Sequence, residues 1–224
     1  MKSLDLSLYL VLDPDLCGSP ANMVHTARLA AENGATVVQL RAPNWKKRQW
    51  LETALELKRV LAPLGVPLII NDHIDIALAA DADGVHVGQA DLPASVARRL
   101  IGPDKWLGLS ISTAGELAAV PAATVDYLGI GPVYPTATKA DDAAATGMPL
   151  LAELVAASGL PVVAIGGIGL GNCLLPLQAG ANGVAVVSAI CGQDDPAQRT
   201  DALRKKILAY YLTCLPERLF DVRG

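Results

Sequence analysis

Short aliphatic runs alternate along the chain with longer helix-like stretches. The runs at Ser7–Leu12, Thr36–Leu40, Pro67–Ile70, Gly84–Val87, Trp106–Ser110, Tyr127–Ile130, Val162–Ile165 and Gly183–Val187 are short and rich in Val, Ile and Leu, so they read as strands. Between them Ala21–Asn33, Lys46–Ala62, Ile74–Ala80, Pro93–Leu100, Thr113–Val120, Met148–Ser158, Gly171–Ala179 and Pro196–Leu212 read as helices. Glycines at 34, 65 and 159 stand just past three of these helices, where a left-handed residue ends the turn. Strand and helix in strict alternation imply βαβ units and a parallel sheet. Eight such units predict an α/β chain folded as a single (β/α)8 TIM barrel over residues 1–224, with Thr213–Gly224 as a tail beyond the last helix. An open doubly wound sheet is the alternative topology.

Composition fits this picture. Of 224 residues, 52% are hydrophobic but only 4% aromatic, so Ala, Leu, Val and Ile must build a core for strands buried on both faces. Residues 154–193 carry no charge, yet Pro161, Pro176 and glycines that include 166, 167, 169, 171, 180 and 183 break the segment, so it reads as two strands and a helix rather than a membrane span. A net charge of −4 with no basic stripe excludes a nucleic-acid partner. Lys46-Lys47-Arg48, the densest basic run, reads as a solvated helix start. Cys17, Cys173, Cys191 and Cys214 lack metal-site or redox spacing, and Met1–Leu12 lacks a charged region followed by a cleavage site. The expectation is a cytoplasmic protein with reduced thiols and no membrane partner, with a homo-oligomer left open.

In this fold the chemistry gathers at the C-terminal ends of the strands. Polar residues cluster there: Gln39 and Arg41 after strand 2, Asn71-Asp72-His73 after strand 3, His86 on strand 4 with Gln89 and Asp91 beyond it, and Ser110 and Ser112 after strand 5. Asp72 and Asp91 follow neighbouring strands, which suits a hard cation shared between protein and a substrate phosphate, although helix capping is the plainer use of either. His86, flanked by Val85 and Val87, is either a core histidine or a residue of the barrel mouth. Gly166-Gly167 after strand 7 and Val187-Ser188 after strand 8 stand where phosphates often rest on backbone N–H groups. The loop Thr136–Lys139 adds two hydroxyls and an ammonium.

Two longer stretches carry a family resemblance: residues 71–92, NDHIDIALAADADGVHVGQADL, and residues 129–139, GIGPVYPTATK. With them, the chain from Leu8 to about Leu208 resembles the thiamine phosphate synthases, also called thiamine phosphate pyrophosphorylases. The resemblance implies condensation of hydroxymethylpyrimidine pyrophosphate with hydroxyethylthiazole phosphate, giving thiamine phosphate and pyrophosphate by a dissociative path that uses Mg2+. It implies Asp72 and Asp91 as magnesium carboxylates. Gln39, Arg41, Asn71, Ser110 and Lys139 would surround the pyrimidine and pyrophosphate, with His86 in the pyrimidine pocket. Thr136, Gly167, Val187 and Ser188 would hold the thiazole phosphate, and Thr138 belongs to the same motif. Arg41, Asn71, Ser110 and Lys139 are the catalytic candidates.

Two positions depart from the family pattern. After Gln39-Leu40-Arg41 the family has an acidic residue and a pyrophosphate-binding Lys; Ala42 and Pro43 stand here, making Lys46 or Lys47 the candidate replacement cation. Ser112 stands where the family often has His. Two other functions stay open on these grounds: a thiazole tautomerase-like isomerase, or an inactive binder of thiazole phosphate or thiamine phosphate.

Overall fold

The structure, a computed structural model, describes residues 4–121, 123–136 and 145–218. Eight parallel strands close into a barrel in chain order: β1 Leu8–Leu12, β2 Val37–Leu40, β3 Leu68–Asn71, β4 Gly84–Val87, β5 Trp106–Ile111, β6 Tyr127–Ile130, β7 Val162–Ile165 and β8 Gly183–Val186. β1 pairs with both β2 and β8, so no sheet edge is left and the open-sheet alternative is excluded. The helices are α1 Pro14–Cys17, α2 Pro20–Glu32, α3 Lys47–Leu61, α4 Ile74–Ala79, α5 Ala94–Ile101, α6 Ala114–Ala118, α7 Gly147–Ser158, α8 Leu174–Gln178 and α9 Pro196–Arg218.

Strand residues split by parity into two cores. Leu8, Leu10, Val38, Ile70, Val85, Leu107, Leu128, Val162 and Val184 point outward and join the helix layer in one apolar cluster. Tyr9, Val11, Val37, Ile69, Tyr127, Val163 and Ala185 fill the barrel interior in a second. The same alternation puts Gln39, Asn71, His86 and Ser110 on the inward parity. Their position toward the C-terminal ends of β2–β5 raises them above the apolar plug.

A 3-10 turn at Ala62–Leu64 follows α3, α8 is shorter than the expected Gly171–Ala179, and two further elements differ from the expectation. α1 is a four-residue helix that apolar periodicity could not reveal; Asp13 caps it by accepting from the N–H groups of Asp15 and Leu16 at 2.9 and 3.0 Å, with Pro14 in its first turn. α9 continues through Thr213 to Arg218, so the expected tail begins later than Thr213. A helix exit there lacks both glycine and the charge pattern of a stop, and nothing in the sequence halts the helix at Leu212.

Candidate active site

One cavity of about 380 Å³ opens at the C-terminal ends of the strands. Gln39, Arg41, Asn71, His86, Ser110, Thr136, Gly167, Val187 and Ser188 all line it. Thr138 and Lys139 lie outside the described residues. Tyr9, Asp13, Gln89, Ser112 and Glu116 also line the cavity and escaped the sequence reading of the site or were not given a role in it.

The floor is a buried polar chain. Gln39 Nε2 donates to Tyr9 Oη at 2.8 Å, and Tyr9 Oη lies 3.0 Å from Tyr127 Oη. Tyr127 Oη is 3.2 Å from His86 Nδ1, and His86 Nε2 is 2.9 Å from Ser110 Oγ. His86 is therefore both readings at once: buried and satisfied, yet part of the cavity wall. Burial pushes the phenol pKa of Tyr9 up, and burial together with Tyr9 does the same for Tyr127, so both stay neutral across ordinary pH. Glycines make room for this chain: a Cβ on Gly108 would sit 2.3 Å from both His86 Nδ1 and Tyr127 Cζ, and one on Gly129 2.9 Å from His86 Cε1.

The β2–β4 side of the mouth carries charge. Arg41 is half-buried, lines the cavity and pairs with no carboxylate among the described residues. Asn71 Nδ2 donates to Asp72 Oδ2 at 2.5 Å, and the Asp72 N–H donates to the His86 carbonyl at 2.8 Å. Asp72 holds φ +60°, an unusual conformation for a residue other than glycine. Asp91 Oδ2 accepts from the Gly88 N–H at 2.8 Å. Neither carboxylate caps a helix: the cap positions of α4 and α5 are His73 and Pro93, neither with a side-chain capping bond. Both lie on the rim beside the cavity rather than in its lining.

Lys46 and Lys47 also lie outside the lining. Lys47 Nζ is 2.8 Å from His73 Nδ1 and 2.9 Å from Asp75 Oδ1. Burial, and then this cation, hold the His73 imidazole below its usual pKa, so His73 serves as a neutral acceptor for the ammonium. Ala42 is fully buried in the outer core, while Pro43 is exposed. Ser112 binds Glu116: its N–H donates to Oε2 at 2.6 Å, and its hydroxyl to the same oxygen at 3.0 Å.

The opposite side of the mouth is built from backbone. Gly166 and Gly167 have φ of +101° and +64°. A Cβ on Gly167 would lie 2.7 Å from Tyr134 Cβ, because the loop after β7 is pressed onto the loop after β6. Val133 and Tyr134 donate their N–H groups to the carbonyls of Ile165 and Gly166 at 2.8 and 3.1 Å, fixing that contact. Asn172 ties the turn by donating to the Gly167 carbonyl and accepting from Gly169 N–H. The N–H groups of Gly167, Ile168 and Ser188, three residues that line the cavity, find no acceptor among the described residues. Unpaired amides at a pocket wall suit a bound anion.

The family described as thiamine monophosphate synthase matches residues 8–190. A thiamine-phosphate synthase of Laribacter hongkongensis is 53% identical over 202 residues, covering 90% of this chain and 95% of that protein. One of Xanthobacter autotrophicus is 48% identical over 208 residues, covering 93% and 98%. Among solved structures, thiamine phosphate pyrophosphorylase from Pyrococcus furiosus superposes with a TM-score of 0.83 at 34% identity, covering 92% of this chain and 97% of that one. Fold, cavity and likeness agree, and the chain belongs to the thiamine monophosphate synthase family.

Proposed function

We propose that the chain condenses hydroxymethylpyrimidine pyrophosphate with hydroxyethylthiazole phosphate to give thiamine phosphate and pyrophosphate. The observation that carries this reading is the two-sided cavity. Arg41, Asn71 and Ser110 stand on one side, and the amides of Gly167, Ile168 and Ser188 on the other, across about 380 Å³. One pocket thus offers two anion sites, as the union of a diphosphate and a phosphate ester requires.

The reaction breaks the C–O bond between the pyrimidine methylene and its pyrophosphate and forms a C–N bond from the thiazole nitrogen. In the dissociative order the aminopyrimidine ring spreads the positive charge of the methylene carbon between the two events. Arg41 and Asn71 stabilise the departing oxygens, and the loops after β7 and β8 anchor the second substrate so that its nitrogen is close when the carbon is exposed. Apolar lining from Val11, Val163, Ile165 and Ile168 keeps water, a competing nucleophile, away from that carbon.

The donor set on the rim fits Mg2+. Asp72 and Asp91 offer hard carboxylate oxygens on adjacent loops, neither is spent on a helix cap, and two carboxylates with substrate phosphate are a usual magnesium set. When bound, the ion would neutralise charge on the pyrophosphate. The four cysteines are free thiols and no described helix is long and apolar enough to cross a membrane, which supports placing the reaction in the cytoplasm.

The test is thiamine phosphate formation by purified protein given both substrates, with Mg2+ and with a chelator. Metal-dependent product is the expected result. Absence of product from folded protein that still binds thiazole phosphate would overturn the reading.

A further inference from the structure

Five side chains cross the barrel floor in sequence: Gln39, Tyr9, Tyr127, His86 and Ser110. Each phenol has one hydrogen to give, and both phenols are fully buried, so hydrogen counting fixes a direction. Gln39 presents its amide nitrogen, which can only donate, to Tyr9. If Tyr127 gave its hydrogen to Tyr9, the Tyr9 hydroxyl would accept twice and its own buried O–H would lack an acceptor, at a real cost. If Tyr9 donates to Tyr127, and Tyr127 to His86 Nδ1, both phenol hydrogens are placed. His86 then carries its proton on Nε2 and donates to Ser110 Oγ.

We propose that Tyr127 is a positioning residue: the one-way chain from Gln39 through Tyr9 and Tyr127 holds His86 as its Nε2–H tautomer, which leaves the Ser110 hydroxyl hydrogen to be donated into the cavity. Resting on the synthase reading, the acceptor is an oxygen of the pyrophosphate leaving group. A Ser110 pointing the other way, donating to His86, would turn lone pairs toward an anion. The direction of the chain along the cavity floor thus decides whether Ser110 attracts or repels the departing charge. The raised phenol pKa values of Tyr9 and Tyr127 keep the chain intact across the working pH range.

The sequence holds three histidines, so nitrogen NMR of 15N-histidine-labelled protein reads the His86 tautomer directly, with His86→Gln assigning its signals. A neutral Nε2–H imidazole at pH 8 without substrate is expected. An Nδ1–H imidazole would overturn the proposal, since it means that Gln39 presents its carbonyl and the whole chain runs in reverse. This readout needs no turnover, so it stands apart from the outcome of the synthase assay.

Kinetics supply the second arm. Tyr127→Phe should lower kcat at least about tenfold while KM for the pyrimidine pyrophosphate moves less than about threefold. In a Ser110→Ala background the same substitution should have little further effect, because the chain acts only through Ser110. Additive losses in the double variant would overturn the proposed route, as packing damage from a lost hydroxyl would not depend on Ser110. If Tyr127→Phe does not fold, the tautomer of the unaltered protein still decides the matter.

Discussion

The two ends of the barrel use the same residue, aspartate beside a strand, for opposite purposes. At the N-terminal end Asp83 and Asp126 precede β4 and β6. Asp83 accepts from the Leu68 N–H at 2.8 Å and from Lys58 Nζ at 2.6 Å. Asp126 accepts from the Leu107 N–H at 2.7 Å and from Arg98 Nη2 at 2.5 Å. Each carboxylate there is tied to a neighbouring strand and to a cation. At the C-terminal end Asp72 and Asp91 follow β3 and β4 and accept from an amide side chain and from a loop N–H, respectively. The first pair ties strand to strand at the base of the barrel; the second stands beside the cavity mouth, where the proposed magnesium ion would bind. A fold of this kind separates stability from chemistry along its axis.

The sharpest way to break this contrast is to neutralise each pair without changing shape. Asp72→Asn and Asp91→Asn should each lower kcat/KM on the order of 100-fold or more, with the melting temperature nearly unchanged. Asn is the right probe at position 72, because it tolerates the left-handed backbone that Asp72 adopts, whereas Ala would add strain. If activity survives chelation and both substitutions, the rim does not hold a metal.

The converse holds at the other end. Arg98 donates to the carbonyls of Thr124, Gly102 and Lys105 as well as to Asp126, knitting the turns before β5 and β6. Arg98→Ala takes the cation from a mostly buried carboxylate and removes hydrogen bonds to three carbonyls, so it should cost about 3 kcal/mol of stability. Denaturant unfolding checks this, and the activity of the protein that remains folded should match the unaltered chain. A fall in kcat at constant stability would blur the division between the two ends.

Within the mouth itself, Gly167→Ala sharpens the comparison between the charged side and the backbone side. The new methyl would press on Tyr134 Cβ at 2.7 Å, and φ of +64° disfavours any Cβ. The loop would shift and the amides of Gly167 and Ile168 with it. KM for thiazole phosphate should rise roughly tenfold, while KM for the pyrimidine pyrophosphate changes little. Equal changes in both would mean that the two anion sites are not separate.

The two sides of the mouth also differed in how plainly the sequence showed them. Strands β4, β6 and β7 match their expected limits residue for residue, because glycine, aspartate or proline punctuates each apolar run. The Gly166-Gly167 turn and the polar strand ends were legible for the same reason: each breaks a local pattern. Tyr9 and Tyr127 were not, because an aromatic on an apolar strand looks like packing, and only the closed barrel brings residues 118 positions apart to 3.0 Å. Asp13 and Glu116 were hidden by the shortness of α1 and α6. Lys47 could be placed near the site by sequence, but its capture by His73 and Asp75 depends on how α3 and α4 pack.

That capture sets up the smallest effect. Pro43 stands where the family resemblance implies a lysine; it is exposed and only two residues beyond the cavity residue Arg41. Since Lys47 is engaged with His73 and Asp75, the proposed pyrophosphate role of Arg41 predicts that Pro43→Lys should raise kcat rather than disturb it. A cation on an exposed loop acts through a solvent-rich path, where a unit charge at about 4 Å is worth about 1 kcal/mol. That corresponds to roughly a fivefold gain. The gain should fade as ionic strength rises, because exposed charges are screened. Lys47→Ala should leave kcat within about twofold, its contacts being with His73 and Asp75. The reverse pattern, a loss with Lys47→Ala and no gain with Pro43→Lys, would mean that Lys47 leaves His73 for the pyrophosphate once substrate binds, and that the charged side of the mouth is completed by movement rather than held ready.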